Sequence, residues 1–473
     1  MDYVRKNIKK LLLALPLLMA MVGFVVVEKQ SVLQSLFLSI CMYVMNYQEA
    51  PANIWLELAR WAAPLATASG VFMAVAALRR RLRAYMLYRR GRCTAVYGPE
   101  EEKAEILSQL GPEGMDGKDE LIPAQRYILL GSEEENLGFY ARHQEKLGKS
   151  VVYMKSKSLP AQSVSAAELR LFCPEETAAR LFWKRCFLYG ESQACGHKMK
   201  IVFIGFGRLG QELLTSALQN NLFFPGQHIE YHIFGSSDGF ENIHSQLSGI
   251  SDPVHFHSEP WHREIELLEE AGAVIVLEQN EQLQLLRELL LALQRREIHV
   301  FAADPAGAEL LADSGRLDIF PWIQEAGRLE NILGDKLYLR AKSINLRYAC
   351  LYSGAEDSPE ERKKQWQALD SFTRYSNISA ADYHEMRLRI LEAEGLGQEE
   401  ALAGDWLEKL AELEHIRWCR YHQLNNWRYG VPENGKNKDK ARRIHRDLVP
   451  YGSLSDGEKE KDRENIRILL SVK

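Results

Sequence analysis

Residues 199–221 read Met-Lys-Ile-Val-Phe-Ile-Gly-Phe-Gly-Arg-Leu-Gly-Gln-Glu-Leu-Leu-Thr-Ser-Ala-Leu-Gln-Asn-Asn: an apolar run, then Gly205-x-Gly207-x-x-Gly210, then apolar residues at helical spacing. A strand entering such a turn and a helix leaving it form the first βα unit of a dinucleotide-binding fold. The first glycine permits the tight turn, the second admits a pyrophosphate, and the helix amino terminus offers unpaired N–H groups. Gly205, Gly207, Gly210 and Arg208 are therefore the candidate phosphate-side residues. The next strand should end in an acid that grips the ribose hydroxyls, yet Ile229–Phe234 runs into Gly235-Ser236-Ser237. Either Asp238 substitutes, or the site takes a phosphorylated ribose, or it is empty.

Downstream the alternation continues through 253–257, 273–278, a helix over 281–295, 298–303 and 318–320. This rhythm predicts a doubly wound, mostly parallel sheet over 198–330. The stretch resembles the amino-terminal domain of TrkA-type and regulator of potassium conductance (RCK) proteins. That resemblance implies a regulatory ring that answers a ligand such as NAD(H), NADP(H) or another adenine nucleotide. It implies no hydride chemistry and no enzyme, and no acid/base pair for a dehydrogenase is evident in the sequence.

Upstream, 94–98, 127–131 and 150–154 read as strands with a helix over 133–147, a degenerate copy of the same fold within 92–196. Glu133, Glu134 and Glu135 stand where phosphate would sit, and like charge repels an anion. This copy reads as structural.

The first ninety residues differ in composition. Residues 11–27 are apolar and follow Arg5, Lys6, Lys9 and Lys10; a second apolar stretch, about 58–78, ends in Arg79-Arg80-Arg81-Leu82-Arg83. Basic flanks outside both segments predict two spans of a bacterial inner membrane with both termini cytosolic. Between them, 31–47 is either a re-entrant pore segment or an interfacial helix. The arrangement resembles two-span potassium channels but lacks their glycine-bearing filter, so potassium selectivity does not follow. In the pore reading, Leu36, Ile40 and Val44 form a hydrophobic constriction.

After Trp322 dense aromatics and charges on helical patterns predict a mainly helical module over 340–473. Glu414-His415, Trp418, Trp427-Arg428-Tyr429-Gly430, His445 and Leu448-Val449-Pro450-Tyr451 keep the order of the ryanodine-receptor (RyR) repeat domain, which this module resembles. The resemblance implies a sensor of nucleotide-derived signals. Asp405 caps the helix leading to Trp427, and Glu414 lies on its apolar stripe, so it needs a partner. Arg428 or His445 could satisfy it. In the functional alternative Trp418, Trp427 or Tyr429 stacks a base while Arg374, Arg417 and Arg428 take phosphates.

The remaining composition excludes other classes. Lys+Arg 59 against Asp+Glu 64 gives a net charge of -5, which supplies no field for nucleic acid. Seven scattered cysteines form no CxxC pair and no disulfide framework. His255, His257 and His262, with Asp252 and Glu259, match no standard zinc spacing and read as solvated, so no metal is expected. The expected protein is a homo-oligomer, a tetramer or a pair of dimers. It is read as a channel or membrane-permeabilising effector gated by a nucleotide-derived ligand, in anti-phage defence or in ion homeostasis. A TrkA/RCK-type regulator of potassium or cation transport and a membrane-anchored NAD(P)-dependent oxidoreductase are the alternatives.

Overall fold

The computed structural model describes residues 14–118, 121–148, 150–156, 168–237, 239–294, 297–311, 315–433 and 435–471, without the side chains of 335–337. Asp238 and residues 11–13, at the start of the first expected span, lie outside them. The chain divides into two compact units, 1–95 with 119–125, and 96–118 with 126–473.

In the first unit three apolar helices, Ala14–Val27, Val32–Tyr43 and Ile54–Arg89, pack together. Ser31 and Asn53 cap the second and third by accepting from Gln34 N and Leu56 N. Asn53 also donates to the Gly23 carbonyl, and a Cβ at Gly23 would lie 2.6 Å from Leu56, so the absence of a side chain lets the first helix close on the third. Phe24, Met42, Tyr47, Leu56, Ala59 and Ala63 form the small core beneath. Among the described residues, Ile54–Arg89 is the one helix long and apolar enough to cross a membrane; the other two are shorter. Its 36 residues extend about 54 Å against about 30 Å of hydrocarbon. The arginine-rich end therefore projects beyond the apolar span. Only 6% of that apolar stretch is buried within the chain, whereas the core helix of a globular domain would be mostly covered.

The first sheet comprises β1 (Thr94–Tyr97), β2 (Gly114–Asp116), β3 (Arg126–Leu129), β4 (Val151–Lys155) and β5 (Glu168–Phe172), ordered β2-β1-β3-β4-β5. β3, β4 and β5 run parallel. Strands β2 and β5 escape sequence reading because both are short and only partly buried. The expected helix Glu133–Leu147 forms, closed by a capping box between Ser132 and Glu135.

The second sheet comprises β6 (Lys198–Ile204), β7 (His228–Phe234), β8 (Val254–His257), β9 (Ala273–Val276), β10 (Ile298–Phe301) and β11 (Leu317–Phe320). All six are parallel in the order β11-β10-β9-β6-β7-β8. Counted within this domain, that is the 3-2-1-4-5-6 order of dinucleotide-binding folds, with its switch point between β6 and β9.

Beyond it the helices Asp335–Ser353, Pro359–Ala368, Ser371–Ala393, Gly404–Leu424 and Asp456–Ser471 enclose their own core around Ile344, Leu410, Ile466 and Leu469. The three-stranded ribbon β12 (Arg428–Tyr429), β13 (Lys438–Asp439) and β14 (Ile444–His445) lies beside them in the order β12-β14-β13. The helical module shares a core with the second sheet: Tyr383, Met386, Ile390, Leu413 and Leu424 are buried with Trp183, Leu213, Leu218 and Phe223. The Tyr383 hydroxyl donates to the Leu222 carbonyl at 2.8 Å. One correction concerns the helix start: Ala403 is the cap of Gly404–Leu424, and Asp405 sits inside the first turn.

Candidate functional site

Two concavities compete within the second unit. At the switch point the glycine-rich loop lines a crevice of about 660 Å³ with Gly205, Gly235, Ser236 and Trp261. Its glycines have backbone reasons to be there. Gly205 has a φ of +86°, and a Cβ on it would lie 2.6 Å from Glu278 N. Gly207 has a φ of +51°, and the absence of a side chain at Gly210 makes room for the Phe206 ring. Glu259, Glu278, Glu281 and Glu288 also line the crevice, and four carboxylates oppose a pyrophosphate.

The other cavity, about 600 Å³, is assembled by three parts of the chain. The end of the first sheet and the helix after it, Pro174–Arg185, contribute Ser156, Cys173, Glu176 and Arg180; the helix after the glycine loop, Gly207–Asn220, contributes Arg208, Glu212, Thr215 and Gln219. The helical module supplies an aromatic wall of Phe372, Tyr421 and Trp427 and a cationic rim of Lys438, Lys440 and Arg443. Phe372 and Trp427 stack with centroids 5.3 Å apart, and Tyr421 donates to the Phe372 carbonyl at 2.6 Å, which fixes the wall.

The acids and bases of this cavity are unevenly matched. Arg180 holds Asp382 through two bonds, Nε to Oδ2 at 2.6 Å and Nη2 to Oδ1 at 3.0 Å. Arg208 reaches Glu212 at 2.9 Å and also the Cys173 thiol. Burial, reinforced by Glu176 and only partly opposed by Arg208, pushes the Glu212 carboxyl up to about 7. Burial raises Glu176 as well, against the pull of Arg180. Near neutral pH these two carboxyls therefore carry less than full charge. Lys440 lies 3.0 Å from Asp370 at the exposed rim.

Of the residues singled out in sequence, Arg208 and Trp427 line this cavity, while Gly205 lines the crevice. Arg208 thus belongs to the cavity and not to the phosphate side of the crevice. Glu414 and Arg417 lie behind the wall: Glu414 accepts from Arg387 at 2.8 Å and from Arg417 at 2.7 Å. Burial alone would raise the Glu414 carboxyl, but Arg417 and Arg387 hold it below the usual carboxylate range. Those two arginines are its partners, where sequence reading offered Arg428 or His445. Arg417 passes the network to the cavity through Ser379, which donates to Gln219 at 2.6 Å. Arg374 donates to the Trp366 and Leu369 carbonyls and closes the end of the Pro359–Ala368 helix. Trp418 packs on His422 and His445, and burial lowers the His445 pKa. Arg428 and Tyr429 are exposed on the ribbon.

Sequence reasoning missed Phe372, Tyr421, Lys438, Lys440 and Arg443. The alternating Lys438-Asp439-Lys440 was a visible signal; the pairing of distant segments across the cavity was not.

In comparisons with known proteins, residues 401–472 match the model of the RyR domain. No curated protein matches the chain. Among solved structures, a dipicolinate synthase from Bacillus halodurans is similar at 15% identity and a TM-score of 0.23, over 52% of this chain and 96% of that one. The chain thus carries an RyR domain at its carboxy-terminal end, packed on a doubly wound α/β body.

Proposed function

We propose that the chain is a ligand-gated membrane protein whose α/β body and RyR domain together bind a nucleotide-derived anion in the 600 Å³ cavity. The observation that carries this reading is the pairing of the Phe372–Trp427 aromatic wall with the Lys438, Lys440 and Arg443 rim. A purine or pyrimidine face suits the wall, and phosphates suit the rim. The reduced charge of Glu176 and Glu212 near neutrality removes much of the repulsion an anion would otherwise meet.

Ile54–Arg89 spans the inner membrane with its arginine end in the cytosol, and four residues separate it from β1. Residues 11–27 form the second span, and identical chains assemble around 31–47. Moving a population from 1:99 to 99:1 takes about 5.5 kcal/mol of differential binding, and several cavities acting together supply this more readily than one. The outcome is permeation of the membrane when the ligand is present, which suits a defence effector.

The strand order of the second sheet favours a second reading, a TrkA/RCK-type regulator of cation transport with NAD(H) or NADP(H) in the crevice. The four crevice glutamates weigh against it.

The test is binding of NAD⁺, ADP-ribose and cyclic AMP, each separately, to the full chain in detergent. In the cavity reading Lys438→Glu abolishes binding and Asn280→Trp, which fills the crevice, leaves it intact. The opposite pattern assigns the ligand to the crevice and overturns the cavity reading.

A further inference from the structure

Alternate residues of a strand share a face, so β7 sets His228, Glu230 and His232 in one row. β8 runs parallel beside it in a register that places His255 against His232 and His257 against Phe234. β8 is the edge of the sheet. His232 is buried, Glu230 half-buried and His255 exposed, so the cluster has one open side.

Its dimensions match a coordination sphere. One ligand atom each from Glu230, His232 and His255 lie within 4.8 Å of one another. His232 Nε2 stands 3.3 Å from Glu230 Oε2; metal–ligand bonds of about 2.0 Å at a tetrahedral angle separate two donor atoms by about 3.3 Å. The rings of His232 and His255 lie 5.0 Å apart and 24° from parallel, so a small rotation of exposed His255 brings its nitrogen into the same sphere. On the far side of His232, Nδ1 lies 2.9 Å from His257 Nε2. With Nδ1 protonated and donating to His257, the Nε2 lone pair is left for a metal, the usual work of an outer-shell partner. Lys200, the cross-strand neighbour of Glu230, is drawn to Glu270 at 2.7 Å.

We propose that Glu230, His232 and His255 bind a divalent transition-metal ion of the zinc class, with His257 positioning the His232 imidazole. Two imidazoles and a carboxylate suit zinc, cobalt or nickel over calcium or magnesium, and three protein ligands leave a position for water. Sequence spacing hides the site because its ligands come from two strands, and only their register brings the side chains together.

Cobalt(II) is the direct probe. The full chain, purified in detergent without an affinity tag and stripped with chelator, is titrated with Co²⁺ and then with Zn²⁺. The expected result is one Co²⁺ per chain at micromolar concentration, visible absorption bands of four-coordinate cobalt, and their loss on adding Zn²⁺. Glu230→Gln and His255→Gln should each abolish the bands, His257→Gln should weaken Co²⁺ binding about 10–100-fold, and His262→Gln should change nothing. Melting temperatures of the stripped variants within a degree or two of the parent show that they are folded. Binding only at millimolar concentration, bands that survive in both Glu230→Gln and His255→Gln, or bands lost in His262→Gln would overturn the assignment.

Discussion

Arg180 and Asp382, 202 residues apart, form a doubly hydrogen-bonded ion pair with side chains 5% and 8% exposed. Arg180 belongs to the helix that follows the first sheet, and Asp382 to the helical module. The Tyr338 ring lies 5.0 Å beneath the guanidinium, and Lys184 stands 3.5 Å from the carboxylate. Helices from opposite ends of the chain are thereby fixed at the floor of one cavity.

Removing the acid leaves a buried guanidinium without its main partner. Breaking a buried pair costs about 3–5 kcal/mol, and Glu176, 4.0 Å from Arg180, places Asp382→Asn at the lower end. Denaturant unfolding of the full chain in detergent should show that loss. A change below about 0.5 kcal/mol would mean that the pair does not hold the modules together.

The rim cations should set affinity without setting stability, because Lys438 and Arg443 are exposed. Losing a hydrogen bond to a charged group costs about 1.5–3 kcal/mol, or roughly 10–100-fold in Kd. Lys438→Glu and Arg443→Glu should each weaken ADP-ribose or NAD⁺ binding by that factor, measured by calorimetry, with the melting temperature unchanged. Unaltered affinity in both would remove the rim from the site.

Glu212 makes stability depend on pH in a defined direction. Its carboxyl is pushed from an ordinary value of 4.5 up to about 7, so between those values the folded chain holds more protons than the unfolded chain. Its stabilising contribution is full below about pH 4.5 and is lost as pH rises through 7. Glu212→Gln should therefore be more stable than the parent at pH 8 and show a flatter profile between pH 5 and 7. With the side chain 23% exposed, the gain should be about 1–2 kcal/mol. Equal slopes for parent and variant would contradict this.

Much of the body was legible because its signals are local. The run from Met199 to Asn221 contains strand, glycine turn and helix in sequence, and β8 to β11 follow as short apolar runs close to where they were expected. The acidic crevice was not legible, since Glu259, Glu278, Glu281 and Glu288 meet only once the sheet is folded. Nor were the partners of Glu414: Arg417 lies one turn along its own helix, but Arg387 comes from a neighbouring one. The apolar stripe around Glu414 implied a buried carboxylate correctly, and what sequence lacked was the helix opposite.

Within the first unit Leu36, Ile40 and Val44 are exposed on or just beyond the Val32–Tyr43 helix, with Ile40 53% exposed. If copies of the chain bring these residues to a common axis, they form a barrier that opens by wetting. Ile40→Asn should then depolarise cells without any ligand, read with a potential-sensitive dye at matched protein levels. Normal potential and growth in that variant would assign the helix to the membrane interface.

The central claim, that a ligand in the cavity opens the membrane, is tested most directly by ion flux from liposomes containing the full chain. NAD⁺, ADP-ribose and cyclic AMP are added singly on the side that exposes the RyR domain. The account predicts that at least one of them triggers rapid release of entrapped potassium, that Lys438→Glu abolishes the response, and that Asn280→Trp preserves it. A probe that binds the cavity and raises the melting temperature, yet releases no ions from liposomes of confirmed orientation, would contradict it.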